Sequence, residues 1–393
     1  MLFFGGVLTL VGLVASCIRN GGHEFGLSWL LAFMFYYSIA LGALFVVMVH
    51  HLTDAGWSVG IRRFCEHIAS LLFPCLALLF LPIIFLAPKI YEWMKFNAVD
   101  NNLIAARQPV FTHTGFIVTS AIFFAILWFL SSRLRSLSIQ QDETGAAELT
   151  RKMRFHSGWG IVAFALVLTF SAALWMKSLQ YQWFSAMYGV YFFASSVWAG
   201  LAFIYVIAVA MLRQNILTPV LKQNYFYFIG VLLLGFTLLS AYTEFAQYFV
   251  VWNANVPEET FWYLAREKGL WWTVSMVLIV GKFFVPFFVL LPVSVKTNFK
   301  VIVPTCLLIA VMHYADLAFN ILPAWHPGGH HTKWIVLHLG CMLFMGGLLG
   351  KIFIKKFNAS APYPQRDPRL LEAMGVSPNV VRDLVDANAG GVK

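Results

Sequence analysis

The chain has 393 residues, of which 60% are hydrophobic and 11% are charged, and its formal net charge is +10. So few charged residues could not cover the surface of a water-soluble protein, which argues against the soluble enzyme classes. The positive charge does not indicate nucleic-acid binding, because Lys and Arg lie in short loops between apolar blocks of about twenty residues, the length that crosses a bilayer.

Ten apolar blocks are predicted to cross the membrane as helices and are numbered as spans 1 to 10 in chain order. They cover Leu2–Ile18, Leu27–Leu52, Cys65–Phe85, His113–Leu134, Phe155–Met176, Met187–Leu212, Tyr225–Val250, Leu270–Pro292, Phe299–Leu322 and Lys333–Phe357. The first block has no basic segment or Ala-x-Ala cleavage site, which favours a retained helix over a signal peptide. The expected fold is all-α and integral to the membrane over residues 1–357, followed by a polar tail over 358–393.

The distribution of basic residues predicts the orientation. An even number of spans places both termini on one side, and Lys and Arg are more frequent in the loops and tail of that side. By the positive-inside rule both termini are expected to be cytoplasmic. The longest connection on this side, Ser136–Thr150, is expected to be a solvated loop. The tail is expected either to be a disordered end or to lie on a cytoplasmic partner.

Spans 7, 8 and 9 carry polar residues that share helical faces. Span 7 has Thr237, Ser240, Glu244, Gln247 and Tyr248 at helical spacing, and span 9 has Cys306, His313, Asp316 and Asn320. Span 8 contributes Lys282, four residues before Pro286. Because charged groups inside a bilayer cost several kcal/mol, these faces are expected to turn toward each other.

A second polar group is predicted near the cytoplasmic face. His50 and His51 end span 2, Glu66 and His67 open span 3, and His156 opens span 5. Two polar clusters at opposite depths are what two proton half-channels need, with Glu244 and Asp316 on the outer side and Lys282 and His313 nearer the middle. The alternatives are a static buried ion pair at Lys282 and side chains at the inner face that only extend into the interface.

Cofactor motifs are scarce. The five cysteines are scattered without a CxxC pair, so neither iron–sulfur ligation nor covalent haem attachment is expected in this chain. His313 and His338 are weak candidates for a b-type haem, and His326, His330 and His331 for a metal site. No cofactor, metal or catalytic residue is therefore assigned to this chain.

A family resemblance begins at the end of span 2. The segments Gly42-Ala43-Leu44-Phe45, His51-Leu52-Thr53, Ala55-Gly56-Trp57-Ser58-Val59 and Arg62-Arg63, with the tail run from Pro362 to Arg369, resemble the second large membrane subunit of bacterial alternative complex III. This resemblance implies an NrfD/PsrC-like fold of two four-helix bundles, about residues 27–176 and 187–322, with two flanking helices. It also implies a subunit without its own cofactor, and proton conduction as its proposed role.

The resemblance further implies the partners. They are a homologous NrfD-like membrane subunit, an iron–sulfur subunit and haem c subunits, with a terminal oxidase as a further candidate. Menaquinone or another quinone would serve the complex in the bacterial plasma membrane. The leading hypothesis is therefore a membrane subunit of a quinol:electron-acceptor oxidoreductase that carries a proton path. The alternatives are an ion-coupled secondary transporter, which would use the same carboxylates, and a purely structural membrane anchor.

Overall fold

The structure is a computed structural model that describes residues 2–96, 101–218, 220–326 and 334–374. All regular elements in this described part are helical. Nine of its helices are long and apolar enough to cross a membrane, and one bent helix pair supplies a tenth span. The chain is therefore an all-α integral membrane protein, as the sequence predicts.

The spans follow the predicted order. Their observed bounds are Leu2–Asn20, His23–Thr53, Gly56–Leu79 with Leu81–Ile90, His113–Thr144, Ala147–Trp175, Tyr188–Arg213, Gln223–Ala254, Gly269–Leu290, Phe299–Ile321 and Ile335–Asn358. Shorter helices cover Asn102–Ala105, Pro257–Leu264 and Leu370–Ala373. Span 3 bends by 54° at the break between its two helices, where Pro82, in the first turn of the second helix, cannot donate a backbone hydrogen bond.

The prediction of a solvated loop over Ser136–Thr150 is wrong. The helix of span 4 continues to Thr144, and the helix of span 5 already begins at Ala147. Gly145 makes the turn with a φ of 68°, a left-handed conformation that glycine adopts without a steric penalty. The extra helical turns carry acidic residues onto the same side of the bundle as the tail.

Spans 2 to 5 pack as one group of four, spans 6 to 9 pack as another, and spans 1 and 10 pack on each other and on span 2. The two groups meet where span 2 crosses span 6. A Cβ on Gly42 would lie 2.5 Å from the carbonyl oxygen of Ser196, and one on Gly200 would lie 2.9 Å from the Cα of Gly42. The small residues of these two spans therefore allow the close helix approach that their sequence pattern indicates.

The N-terminal end of span 1 and the C-terminal end of span 10 lie on one side, called the terminus side, because the two helices pack antiparallel. Leu2 lies against Gly347 in the middle of span 10, and Gly12 lies against Leu337 near its beginning. The opposite side, called the loop side, carries the described residues of the segment 87–112, which are 87–96 and 101–112, and the segment 251–269. The described part of the tail lies on the chain's own terminus side, where Arg366 donates to the carbonyl oxygen of Glu143 at 2.6 Å and Arg369 pairs with Asp54. Residues 375–393 of the predicted tail lie outside the described residues.

Candidate functional site

The polar faces of spans 7, 8 and 9 meet at Lys282. Its Nζ donates a hydrogen bond to Asp316 Oδ2 at 2.7 Å and another to Glu244 Oε1. The side chains of Lys282 and Asp316 are almost completely buried, whereas that of Glu244 is 34% exposed. One ammonium group is therefore shared by two carboxylates, of which only one reaches the protein surface. We call this group the outer cluster.

The local helix geometry places Lys282. A π-helical turn over Ile279–Phe284 interrupts span 8 just before Pro286. Proline removes a backbone donor, and a π turn adds a residue to the helical repeat, so the side-chain register changes at this point. The turn lies against spans 7 and 9, which directs the lysine toward both carboxylates rather than toward lipid.

A chain of hydroxyl and imidazole groups continues from Asp316. Ser195 Oγ lies 3.1 Å from Asp316 Oδ2 and 3.4 Å from Nδ1 of His313. On the other side of the ring, Nε2 lies 2.7 Å from Ser38 Oγ. Ser38 donates its hydroxyl proton to the carbonyl oxygen of Phe35, so a neutral His313 carries its proton on Nε2 and accepts at Nδ1. The polar chain thus reaches span 2 in the centre of the protein.

The other residues predicted for the outer side surround the outer cluster. Asn320 Nδ2 donates to the hydroxyl of Tyr191 at 2.7 Å and to the backbone carbonyl of Asp316 at 2.8 Å. Ser240 Oγ donates to Glu244 Oε1 at 3.4 Å. Tyr248 does not join this chain of bonds but lines an adjoining cleft, with its ring 5.2 Å from that of Tyr263.

The cleft has a volume of about 1050 Å³ and lies between spans 7 and 8 on the loop side. The segment 257–268 covers its outer end. Aromatic side chains form much of its wall, and Lys282, Glu244 and Asp316 lie at its inner end. The cleft therefore connects the outer cluster with the surface of the protein.

Arg266 fixes the outer wall of this cleft. It donates to the backbone carbonyls of Trp262, Phe319 and Asn320, and to Gln180 Oε1, at 2.8 to 3.1 Å. The guanidinium carbon lies 3.4 Å from the centre of the Trp262 ring. Burial lowers the pKa of Arg266 to about 9. Because this value is still above neutral pH, the side chain stays charged. Arg266 thus connects the segment 257–268 to the end of span 9.

The inner residues lie in a network of ion pairs that we call the inner cluster. Arg62 Nε lies 3.2 Å from Glu66 Oε1, and Arg63 Nη1 lies 3.2 Å from Glu66 Oε2. Arg62 also contacts His50 Nε2 at 3.2 Å and pairs with Asp367 of the tail. His50, Glu66 and both arginines are buried. This network occupies the terminus side, at the opposite depth from the outer cluster.

The remaining histidines predicted for the inner side do not all join this network. The ring of His51 lies 4.9 Å from that of His50. His67 faces span 10 instead, with its ring 5.9 Å from that of Phe357, and its Nε2 lies 3.0 Å from Oγ of Ser360, just beyond the end of that span. His156 packs against Phe129 and Trp159 between spans 4 and 5. The structure thus brings His50, His51 and Glu66 together and places His67 and His156 elsewhere.

Of the weaker haem and metal candidates, His313 and His326 contact other polar side chains of the protein. His313 has both ring nitrogens beside hydroxyl groups, and His326 Nε2 lies 2.9 Å from Glu24 Oε1. His330 and His331 lie outside the described residues. Among the residues that the structure does describe, no group of three or more His, Cys, Asp or Glu side chains is arranged to hold a metal ion.

Sequence reasoning missed the residues that connect the predicted ones. Ser38 and Ser195 link span 9 to spans 2 and 6, and Arg62 holds His50, Glu66 and Asp367 together. The spacing of Arg62 and Glu66 four residues apart on one helix was an available signal for an ion pair. The two serines carried no such signal.

Comparison with known proteins does not assign a family. No protein-family model matches the chain, and no curated protein is significantly similar to it.

Proposed function

We propose that this chain is a proton-conducting membrane subunit of a respiratory quinol:electron-acceptor oxidoreductase of the alternative complex III type. The observation that carries the proton role is the hydroxyl of Ser195, which has one proton and two acceptors, Asp316 at 3.1 Å and His313 at 3.4 Å. Rotation of a hydroxyl between two acceptors is a way to pass a proton along a chain of hydrogen bonds. Asp316 in turn shares Lys282 with Glu244, which reaches the cleft.

The proposed path has two halves. The outer half runs from Glu244 through Lys282, Asp316, Ser195 and His313 to Ser38. The inner half contains Glu66 with His50 and His51. Ser38 and His50 are separated by about 18 Å along span 2, at 1.5 Å per residue, and residues 39–49 between them are all apolar. Residues 39–49 of span 2 therefore offer no polar side chain between the halves, and transfer across this length would depend on water or on side chains of the neighbouring spans.

Membership in the complex rests on the resemblance of residues 42–63 and 362–369 to the family's second membrane subunit. The proposal places the chain in the bacterial plasma membrane with both termini in the cytoplasm. Its partners would be a homologous membrane subunit, an iron–sulfur subunit and haem c subunits. Purification of the affinity-tagged chain in mild detergent tests this part: haem c absorbance that elutes with the chain supports it, whereas an isolated chain favours a transporter.

The proton role is tested in the purified complex reconstituted in liposomes, with quinol turnover and proton uptake measured together. Glu244→Gln, Asp316→Asn and Lys282→Met are each expected to lower proton uptake at least about tenfold, as loss of a proton-transfer group does. Glu267→Gln is the matched control, because Glu267 is an exposed carboxylate that lines the same cleft outside the chain of hydrogen bonds. Unchanged uptake in all three variants would overturn the proposal, and reduced assembly with normal uptake per complex would indicate a structural anchor.

A further inference from the structure

A smaller pocket lies toward the terminus side, among spans 3, 4 and 10. Its volume is about 400 Å³, which is within the range of about 300–1,000 Å³ for small-molecule sites. Two basic side chains, Arg135 and Lys356, and four serines line it, and none of the described residues in its wall is acidic. Such a wall favours an anionic ligand.

One face of span 4 forms much of the wall. Trp128, Ser131, Ser132 and Arg135 follow each other at the spacing of three and four residues that places side chains on one side of a helix. Ser131 and Ser132 donate to backbone carbonyls of the preceding turn at 3.4 and 3.3 Å. Their hydroxyl oxygens therefore keep acceptor positions for a hydroxyl group of a ligand.

A break in span 3 brings a lysine into the pocket. Phe73 has an extended backbone, with φ −142° and ψ 136°, inside the helical span. Non-helical backbone at membrane depth is tolerated where it is buried or lines a cavity, and Phe73 lies in the wall of this one. Three residues before the break, the carbonyl oxygen and the hydroxyl of Ser70 both accept from Lys356 Nζ at 2.9 Å. An ammonium group has three donors, so one donor of Lys356 is left for a ligand.

Arg135 supplies the other donors. Its Nε is buried and has no hydrogen-bond partner in the part of the chain that the structure describes. Glu66 interacts electrostatically with Arg135, but both of its carboxylate oxygens already pair with Arg62 and Arg63. A guanidinium group binds two oxygens of a phosphate at once, whereas a lysine binds phosphate as a point charge. A phosphate group at this position would accept from both Arg135 and Lys356.

The apolar part of the pocket distinguishes a lipid from a free anion. Trp128 is seven residues before Arg135 on span 4, which places it about 10 Å closer to the middle of the membrane. Its ring lies 5.5 Å from that of Phe73, and the two side chains are 49% and 39% exposed. Farther along the same spans, Ile122 and Leu78 are exposed as well. This order, with cations at the end of the span and apolar groups below them, matches a phospholipid, whereas a free phosphate would use only the first part.

We propose that the pocket among spans 3, 4 and 10 binds an anionic phospholipid whose head carries hydroxyl groups, as in phosphatidylglycerol. Its phosphate would lie at Arg135 and Lys356, its head hydroxyls at Ser131 and Ser132, and an acyl chain along Trp128. Basic pockets between membrane helices bind anionic lipid heads in this way. A zwitterionic lipid would bring a cationic head group to a wall that has no carboxylate. This inference goes beyond the proposed function and does not depend on it, because it concerns equilibrium binding of a lipid.

The test is photo-crosslinking of the full chain in its own assembly, purified and reconstituted in phosphatidylcholine vesicles. The probe is phosphatidylglycerol with a diazirine in one acyl chain, added in increasing mole fraction, and crosslinked peptides are identified by mass spectrometry. We expect saturable labelling of peptides from residues 72–84 and 118–132, with competition by phosphatidylglycerol without the diazirine. Labelling that only rises in proportion to the mole fraction of the probe would indicate contact with bulk lipid and would overturn the proposal.

Inorganic phosphate distinguishes the two sources of a phosphate group. Millimolar inorganic phosphate added to the vesicles should leave the labelling by the lipid probe in place, because the acyl chain contributes to binding. Displacement of the probe by inorganic phosphate would assign the pocket to a soluble anion and contradict the assignment to a lipid.

Two substitutions locate the site, each with a matched control. Arg135→Gln should lower the saturable labelling at least about tenfold, as loss of hydrogen bonds to a charged group does, whereas Arg133→Gln removes an exposed arginine of the same helix outside the pocket and should leave it unchanged. If Arg135→Gln does not assemble, Lys356→Gln has the same expected result, with the exposed Lys355→Gln as its control. Undiminished labelling in the assembled variant would rule out this pocket.

Discussion

Lys282 Nζ lies 2.7 Å from Asp316 Oδ2, although the two residues belong to different spans and are both shielded from the surface. The same ammonium group also holds Glu244 of a third span. The contact therefore joins spans 7, 8 and 9 at one point and also couples a buried carboxylate to one at the cleft. Stability and function can be separated here by removing the cation and a carboxylate independently.

Lys282→Met is expected to lower the free energy of unfolding by about 3–5 kcal/mol, because it leaves Asp316 buried without its cation. The double variant Lys282→Met, Asp316→Asn should recover much of this loss, since it buries no uncompensated charge at that position. Thermal unfolding of both variants in the same detergent measures the difference. A double variant less stable than Lys282→Met alone would contradict this account of the pair.

Ser195→Ala is expected to lower proton uptake while leaving the unfolding temperature nearly unchanged, because it breaks the connection between Asp316 and His313 but removes only one oxygen atom. Ser196→Ala is the matched control. Ser196 is equally buried on the same helix, and within the described structure its hydroxyl has no hydrogen-bond partner. Equal proton uptake in the two variants would exclude Ser195 from the path.

The residues with charge were predictable and those that connect them were not. Glu244, Lys282 and Asp316 are ionisable groups inside apolar blocks, and helical spacing alone directs them to one interface. Ser38 and Ser195 resemble any serine in a membrane helix that bonds to its own backbone. Their contacts with His313 join positions that are 275 and 118 residues apart, so only the packing of spans 2, 6 and 9 could show them.

The inner cluster also contains arginine contacts that could not be predicted from the sequence. Arg62 and Arg63 lie on the same side of the membrane domain as the described part of the tail. Their pairing with Asp367 and Asp142 depends on the tail crossing the terminus side and on the extension of span 4 to Thr144. Neither feature follows from hydropathy, because both segments are polar.

Gly42→Ala is expected to destabilise the protein, because the added methyl group would lie 2.5 Å from the carbonyl oxygen of Ser196 and force spans 2 and 6 apart. Overpacking of this kind costs about 1–3 kcal/mol. Gly235→Ala is the control, since nothing lies within 4 Å of the corresponding methyl position. There the helix should gain about 0.5–1 kcal/mol from the loss of glycine flexibility. Thermal unfolding of the two variants should shift in opposite directions.

Asp367→Asn is expected to release the tail from the terminus side. Asp367 is only 6% exposed and pairs with Arg62, which is 1% exposed, so the substitution leaves a buried guanidinium with less compensation. Removal of one partner from a buried pair costs about 3–5 kcal/mol. Because His50 and Glu66 also contact Arg62, the cost should fall at the lower end of this range. Faster hydrogen exchange over residues 359–374, measured by mass spectrometry, would report the release.

The matched control for the tail variant is Glu148→Gln. Glu148 pairs with Lys152 at 3.0 Å, but these side chains are 71% and 51% exposed. Exposed ion pairs of this kind contribute about 0–1 kcal/mol, because solvent screens them. The control should therefore leave exchange in the tail unchanged. If Asp367→Asn also leaves it unchanged, the tail is held by its other contacts, such as Arg369 with Asp54, and the buried pair with Arg62 is not what fixes it.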